Sequence, residues 1–346
     1  MYGGAEIQLL KTREYINKLD CDVDVTLFNM WRHTIDEYDI IHFFKPKTFP
    51  TECASLLQLA KEKNVKTAIS PIHFVSSQSI EELSPTFSDA ALRRTLFELR
   101  RLIFKRGYLK KLNPEKTYEL ILGLSDIILP NTRASLDFLL DSYHNIAKHR
   151  CTVIPNGVDV SFKDGDARLF EERFGIRDFI LFVGRIEPVK NLVKLLQAFT
   201  ESGLDTELVI IGRCDDRTYY NRCKEAAPNR AVFLPPLAHN SLLLASAYKA
   251  AHSVALPSYL EIPGLVALEG GLAGANIAIT EVGGSKEYFR DYAWYIDPMS
   301  VGSIQEALIA SYNAPKNSRL SQHIERNFAW PEIAKKTVRA YESLYY

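Results

Sequence analysis

Residues 179–199, FILFVGRIEPVKNLVKLLQAF, read as a strand, a tight turn and a helix. FILFV is a continuous apolar run without alternation, which suits a parallel strand covered on both faces. Gly184 ends the run, and Pro188 and Asn191 suit a helix start. Arg185 and Lys190 then fall at the carboxyl end of a parallel strand, where open α/β sheets bind ligands. Two cations beside helix-terminal N–H groups make a diphosphate site. Taken alone, such a pair is more often two solvated surface residues.

The same architecture recurs in 252–274, HSVALPSYLEIPGLVALEGGLAG. HSVALPS is the strand, LEIPG the turn and LVALEGGLAG the helix. Gly264 lets the backbone approach a ligand closely, and the amides of Gly264 and Leu265 sit at a helix N-terminus. Glu261 falls on the loop and Glu269 about one and a half turns into the helix, so both can face one cleft at different depths. Either glutamate in isolation fits a helix-dipole or salt-bridge role. A third turn, NIAITEVGGSKEYF (276–289), places Gly283-Gly284 after a strand and before Glu287 on a helix.

The whole chain fits this pattern. Its 346 residues exceed a comfortable single core, so two domains are expected. Apolar residues make up 47% and the formal net charge is zero, which suits a soluble globular protein with no global field to recruit nucleic acid. Five scattered cysteines form no C-x-x-C pair, pointing to a reducing compartment rather than a disulfide framework or zinc site. No apolar run reaches the ~18 residues of a membrane span. MYGGAEIQLLKTREY has no apolar h-region, so no signal peptide is expected. It opens on a Gly-Gly turn with no strand before it.

Strands are predicted at 23–28, 38–44, 66–70, 126–130, 152–155, 179–184, 207–212, 231–235, 252–257 and 276–280, with helix-length patterns between most of them. Some ten strands alternating with helices imply α/β architecture with two sheets rather than one. Pro155, Asn156, Gly157 and Gly165 mark a boundary within 154–170.

The ordered set VIPNGVD, LFVGRIEPVKN, LVIIG, VFLPPL, PSYLEIPGLVALEGGLAG and TEVGGSKEYF resembles the C-terminal half of glycosyltransferase family 4. The resemblance covers residues 152–298 strongly, and the N-terminal half more weakly through YGGAEIQLL, YDIIHFF and SDIILPNT. It implies the GT-B fold, two Rossmann-like domains facing across a cleft. The expected domains are 1–158 on the acceptor side, 159–326 for the nucleotide sugar, and a helix at 327–346 packing back towards the first. It further implies a retaining, metal-independent, hexosyltransferase-type enzyme that needs no cofactor and moves a sugar from a nucleotide-diphosphate sugar to an acceptor hydroxyl. That acceptor would be a saccharide or a lipid-linked one, in polysaccharide, lipid-linked oligosaccharide or glycolipid synthesis.

By the same resemblance, Arg185 and Lys190 hold the donor diphosphate. Glu269, second of an E-x7-E pair, binds the ribose hydroxyls, and Glu261, the first, lies against the donor sugar. Gly264 and Leu265 supply amides to the sugar or its phosphate. Gly3 and Gly4 close over the phosphate from the N-terminal domain, and Gly283 and Gly284 form another ligand-facing turn. With no second carboxylate placed for double displacement, front-face attack is expected, the leaving phosphate helping to deprotonate the acceptor; Glu261 as a covalent nucleophile is the variant. The family also supplies a histidine near the donor sugar: His73 is the candidate here and His42 its rival, although a histidine at a strand end is often only structural.

Two departures stand out. Where the family has Gly-Phe-Gly after the first glutamate, this chain has Ile262-Pro263-Gly264, and Pro263 has no N–H to donate. The strand that precedes the Gly-Gly loop in the family is not found before it here: either the start is truncated or another segment fills its place, since a sheet left without it would expose the edges of its neighbours. Both motivate one alternative reading, a catalytically weak homologue partnering another glycosyltransferase; within enzymes the alternative is an epimerase-like nucleotide-sugar enzyme.

Asp20, Asp22 and Asp24 mimic a metal-binding D-x-D, but alternation along a strand would put them on one solvated face. Residues 91–113, ALRRTLFELRRLIFKRGYLKKLN, combine helically spaced apolar residues with eight basic residues against the single acid Glu98. Packing on its own domain accounts for the apolar face. The charge excess points to an anionic membrane surface or a phosphate-bearing acceptor, and the expected location is cytoplasmic and peripheral at the inner face of the membrane.

Overall fold

The protein is described by a computed structural model over residues 4–72, 114–316 and 318–345. Nine strands among these residues form two sheets in which every pairing is parallel. The first contains β1 (Ile40–Phe44), β2 (Lys66–Ser70) and β3 (Ile127–Ile128), in the order β1-β2-β3. The second contains β4 (Ile180–Val183), β5 (Leu208–Ile211), β6 (Ala231–Leu234), β7 (Ser253–Leu256), β8 (Asn276–Thr280) and β9 (Trp294–Ile296). Its order is β6-β5-β4-β7-β8-β9. The chain therefore runs outward from β4 in one direction and resumes at β7 in the other. That reversal creates a crevice beyond the carboxyl ends of β4 and β7, the switch point at which doubly wound sheets bind ligands.

Thirteen α-helices accompany the strands among the described residues: α1 (Gly4–Ile16), α2 (Pro50–Glu62), α3 (Pro114–Leu124), α4 (Arg133–Ser142), α5 (Ala167–Phe174), α6 (Leu192–Ser202), α7 (Arg217–Ala226), α8 (Leu242–Ala250), α9 (Leu265–Ala273), α10 (Ser285–Phe289), α11 (Val301–Asn313), α12 (Ser318–Phe328) and α13 (Trp330–Glu342). The inner strands of the second sheet, β4, β5, β7 and β8, are buried on both faces, as in Ile180, Leu181 and Phe182 or Leu208, Val209 and Ile210, whereas the edge strands β6 and β9 are partly exposed. This is why the inner strands read as unbroken apolar runs. Leu192, Leu195, Leu196 and Phe199 of α6 cover one side, their i, i+3, i+4, i+7 spacing forming one helix face.

The chain passes between the sheets twice, and the two passages lie side by side. The Val158 amide donates to the Phe328 carbonyl at 2.8 Å, and the Trp330 amide donates to the Val158 carbonyl at 3.1 Å. Beyond this point α13 packs on α1, with Trp330 buried against Ile16, Ala68 and Ile127 and stacked on Tyr15 at 6.4 Å. Lys11 of α1 pairs with Asp159 at 2.8 Å and Tyr15 donates to the same carboxylate at 3.2 Å. Burial pushes the Asp159 carboxyl up, but Lys11 and the Ser161 hydrogen bonds outweigh it and bring the group down to about 2.

Three strand expectations change. Residues 23–28 form no strand, and Asn17 takes up both the Val25 N–H, at 2.8 Å, and its carbonyl, at 2.9 Å. A strand needs a neighbour for its backbone groups, and among the described residues no strand lies on the side of β1 away from β2. Residues 152–155 form no named strand, although they run beside β3, with an isolated bridge from Ile128 to Cys151 and the Thr152 and Ile154 amides donating to the Ile128 and Pro130 carbonyls, each at 2.9 Å. Conversely, Trp294–Ile296 is a strand, although its mixed aromatic run did not read as one. Gly3, His73 and the basic run 91–113 lie outside the described residues.

Candidate active site

Asn191 assembles the crevice. The turn Pro188–Lys190 ends at Asn191 in the left-handed conformation (φ 58°), which asparagine tolerates better than most residues. Its side-chain amide donates to the carbonyls of Pro257, at 3.0 Å, and Pro298, at 2.9 Å. The Tyr259 amide in turn donates to the Val189 carbonyl at 3.0 Å. The turns after β4, β7 and β9 are thereby tied together at one edge of the sheet.

Lys190 and Glu261 meet there. Lys190 Nζ lies 2.7 Å from Glu261 Oε1, and Ser258 Oγ donates to the same oxygen at 2.7 Å. Their side chains are 25% and 11% exposed, so the pair is partly shielded yet reachable from the crevice. Arg185 stays on the rim, 65% exposed and 3.1 Å from Glu187.

The Gly283-Gly284 turn holds this arrangement from behind. The Gly284 amide donates to the Glu261 carbonyl at 2.9 Å, and the Glu261 amide donates to Val282 at 3.2 Å. At Gly283, with φ 111°, a Cβ would stand 2.0 Å from the Glu261 carbonyl oxygen. Only glycine fits against that backbone. The two glycines therefore grip the Glu261 loop, with the Gly284 N–H already committed to it.

Gly264, with φ 67°, caps α9 and has no side chain to occupy the first-turn amides of Leu265 and Val266. An anion can approach those amides directly. Gly4 reaches this point from the other sheet: a Cβ on it would lie 3.4 Å from Leu265 Cδ1. Deeper in α9, Glu269 is 4% exposed and held through both oxygens. His239 Nε2 lies 2.8 Å from Oε1, and Tyr248 OH donates to Oε2 at 2.6 Å. Burial works against charge on His239, but the hydrogen bond and charge of Glu269 outweigh it and raise its pKa above the usual histidine value.

The far wall belongs to the first sheet. Thr132 packs against Gly284, whose added Cβ would stand 2.5 Å from Thr132 Cγ2. Glu287 accepts from the amides of Arg133 and Ala134, and Tyr288 OH donates to the Asn131 carbonyl at 3.1 Å. His42 is away from this wall in role. Its ring bonds Tyr341 OH at 2.7 Å and Ser70 Oγ at 3.0 Å, and burial lowers its pKa to about 3. Asp20, Asp22 and Asp24 are exposed around the turn after α1. No helix among the described residues is long and apolar enough to cross a membrane.

His239, Tyr248, Ser258 and Asn191 went unmarked as site residues in the sequence. Asn191 was visible only as a helix start, and nothing in PLAHN (236–240) links His239 to a glutamate 30 residues on.

Two sheets, the second doubly wound, with a crevice at its switch point walled by the first, define a GT-B protein. Residues 168–327 match the family of glycosyl transferases group 1, which bears out the resemblance to glycosyltransferase family 4. A D-inositol 3-phosphate glycosyltransferase of Xylanimonas cellulosilytica is 29% identical over 64% of this chain and 58% of its own length. The enzyme of that name from Mycobacteroides abscessus is 33% identical over 46% of this chain and 38% of its own. The chain thus spans little more than half, or less, of these curated relatives. Among solved structures, Anabaena HepE in complex with UDP and glucose superposes with a TM-score of 0.71 at 15% identity, covering 99% of this chain and 96% of that one. Sucrose-phosphate synthase of Thermosynechococcus elongatus gives 0.67 at 17% identity over 89% and 74%. At such identities the likeness is one of fold.

Proposed function

We propose that the protein is a retaining glycosyltransferase that moves a sugar from a nucleoside-diphosphate sugar to an acceptor hydroxyl. The observation that carries this reading is Lys190 against Glu261 at the switch point, beside the uncapped amides of α9, with Glu269 deeper in the same helix. In this arrangement Glu269 takes the ribose hydroxyls. Lys190, Arg185 and the amides of Leu265 and Val266 take the diphosphate. As the glycosidic bond breaks, negative charge grows on the leaving diphosphate, and these fixed cations and dipoles stabilise it. The leaving phosphate receives the acceptor proton on the face from which the acceptor attacks, so configuration is retained. Because the protein's own cations neutralise the diphosphate, no divalent metal is required, and transfer survives EDTA.

UDP is the first nucleotide to test, since the Anabaena neighbour was solved with UDP and a trehalose-phosphate synthase neighbour from Burkholderia xenovorans is described as UDP-forming. The excess of positive charge in 91–113 supports an acceptor bearing phosphates or presented at an anionic membrane surface. Incubation with UDP-, GDP- and ADP-sugars and an acceptor panel tests the reading. Release of nucleotide with an α-configured product from an α-configured donor supports it. Nucleotide binding without hydrolysis or transfer would favour the weak-homologue reading, to which Pro263 and a Glu261 already engaged by Lys190 and Ser258 give some ground. Sugar interconversion without acceptor would favour an epimerase.

A further inference from the structure

We infer that His239 is a positioning residue for the Glu269 carboxylate, and that its protonated form is the one that favours binding of a nucleoside-diphosphate sugar. The inference rests on the proposed nucleotide-sugar reading and concerns the ribose end of that site.

The geometry is that of a carboxylate fixed from outside. Glu269 has both oxygens engaged, Oε1 by His239 at 2.8 Å and Oε2 by Tyr248 at 2.6 Å. A carboxylate offers about four lone-pair sites, so the two bonds orient the group and leave acceptor capacity for two ribose hydroxyls. The two holders differ. Tyr248 is fully buried. His239 is 29% exposed on its side chain, beside a glutamate that is 5% exposed. It can therefore exchange a proton with solvent while its partner is shielded.

Groups facing His239 come from four elements. Glu269 approaches from α9 and Tyr248, through the shared carboxylate, from α8. The edge of Phe162 lies 5.6 Å away, on the segment after the crossing. Lys11 of α1 opposes charge on the imidazole and Asp159 favours it. These last two are ion-paired with each other at 2.8 Å, so their fields largely cancel at His239. Glu269 remains the dominant neighbour, and it holds the imidazole protonated to a higher pH than an isolated histidine.

When His239 is protonated the His239–Glu269 pair is neutral. When it loses the proton the tautomer that keeps hydrogen on Nε2 still holds Glu269, but the pair carries one negative charge beside a dianionic diphosphate. Binding weakens for this reason, on the order of tenfold for the two diphosphate charges about 10 Å away at an effective dielectric near 20 and physiological salt screening. Nucleotide-sugar binding is accordingly linked to proton uptake at His239.

Isothermal titration with UDP-, GDP- and ADP-glucose, whose diphosphate diesters do not titrate in this range, is run from pH 6.0 to 8.5 on the wild type and His239→Gln. Glutamine keeps a donor for Glu269 without the charge. The wild type should lose affinity with rising pH, on the order of tenfold, whereas His239→Gln should bind weakly and independently of pH. The His239 13Cε1 resonance should titrate in the same window and shift to lower pH in Glu269→Gln. A pH slope preserved in His239→Gln, or equal weakening at every pH as a purely structural role would give, overturns the inference. Binding that is flat with pH in the wild type sinks it while leaving the nucleotide-sugar reading standing. No binding of any of the three sugars at any pH would remove both.

Discussion

Glu287 Oε2 accepts a 2.7 Å hydrogen bond from the Arg133 amide, and Oε1 accepts a 2.8 Å bond from Ala134. One domain thus supplies the N-terminal cap of a helix in the other. The next amide, Ser135, is taken by the Thr132 hydroxyl at 2.9 Å, and Leu136 bonds the Thr132 carbonyl at 3.0 Å. The three open amides of the first turn of α4, those of Arg133, Ala134 and Ser135, therefore all have acceptors, and Leu136 begins the intrahelical ladder. Two of the three depend on the domains keeping their present orientation.

Glu287→Ala should lower stability by about 1 kcal/mol, the typical worth of a lost cap, seen as a lower urea midpoint. The larger expected effect is kinetic. Lys190, Glu261 and Glu269 all lie on the second domain, so nucleotide affinity should hold while kcat/KM falls through loosened closure of the acceptor wall. Loss of nucleotide affinity in step with kcat/KM would count against this separation of roles.

Lys190→Ala removes the cation nearest Glu261 and leaves that carboxylate with Ser258 as its remaining side-chain donor. Transfer should fall by roughly 10²–10³-fold, the usual result of deleting one group that meets charge developing in a transition state. The fold should survive, since Lys190 is 25% exposed on its side chain and its neighbour Asn191 makes the structural bonds. A circular dichroism spectrum matching the wild type, with transfer rates compared directly, checks both halves. Near-wild-type transfer would remove Lys190 from the diphosphate site.

Gly283→Ala should fail more severely than Gly264→Ala. At Gly283 the new Cβ meets backbone, the Glu261 carbonyl oxygen at 2.0 Å, which cannot rotate away. At Gly264 it meets the end of a flexible side chain, Ile279 Cδ1 at 2.9 Å. Both positions have positive φ, a strain of about 1–3 kcal/mol for alanine. Gly264→Ala should therefore fold with lowered Tm and weakened binding at the α9 amides. Gly283→Ala should displace Glu261 itself. Thermal melts and nucleotide titrations on the two variants test the order.

Much of this site was legible because each of its turns is local. FILFVGR and HSVALPS declare strands by continuous apolar runs, and Asn191 and Gly264 mark the helix starts within the next few residues. What stayed hidden depends on distant parts of the chain. The run VDVTLF has the composition of a strand, but among the described residues no strand lies on that side of β1 to pair with it. Gly283-Gly284 looked like a ligand turn of the same kind as Gly264. Its amide is instead spent on Glu261, a pairing that only the packed loops create. His239 sits in a polar loop with no periodicity, and its role exists only through Glu269.

His42 and His239, shifted in opposite directions, should give the protein opposite pH responses on either side of neutrality. His42 is buried and neutral, with its pKa lowered to about 3 by burial. Between that value and its unfolded pKa near 6.5 the unfolded chain binds a proton that the folded chain refuses, so stability falls as pH drops. At about 1.4 kcal/mol per pH unit, acidifying from pH 6.5 to 5 should cost about 2 kcal/mol. His239 has the contrary sign: its pKa is raised, so its contribution is complete below the unfolded value and is lost as pH rises through the folded one. Urea midpoints measured from pH 5 to 8.5 should therefore pass through a maximum. His42→Gln should be less stable at neutral pH, because Tyr341 and Ser70 lose their shared partner. It should also flatten the acid limb, leaving the alkaline limb unchanged. An acid limb as steep in His42→Gln as in the wild type would assign the acid sensitivity elsewhere, first to His323, whose pKa burial also lowers.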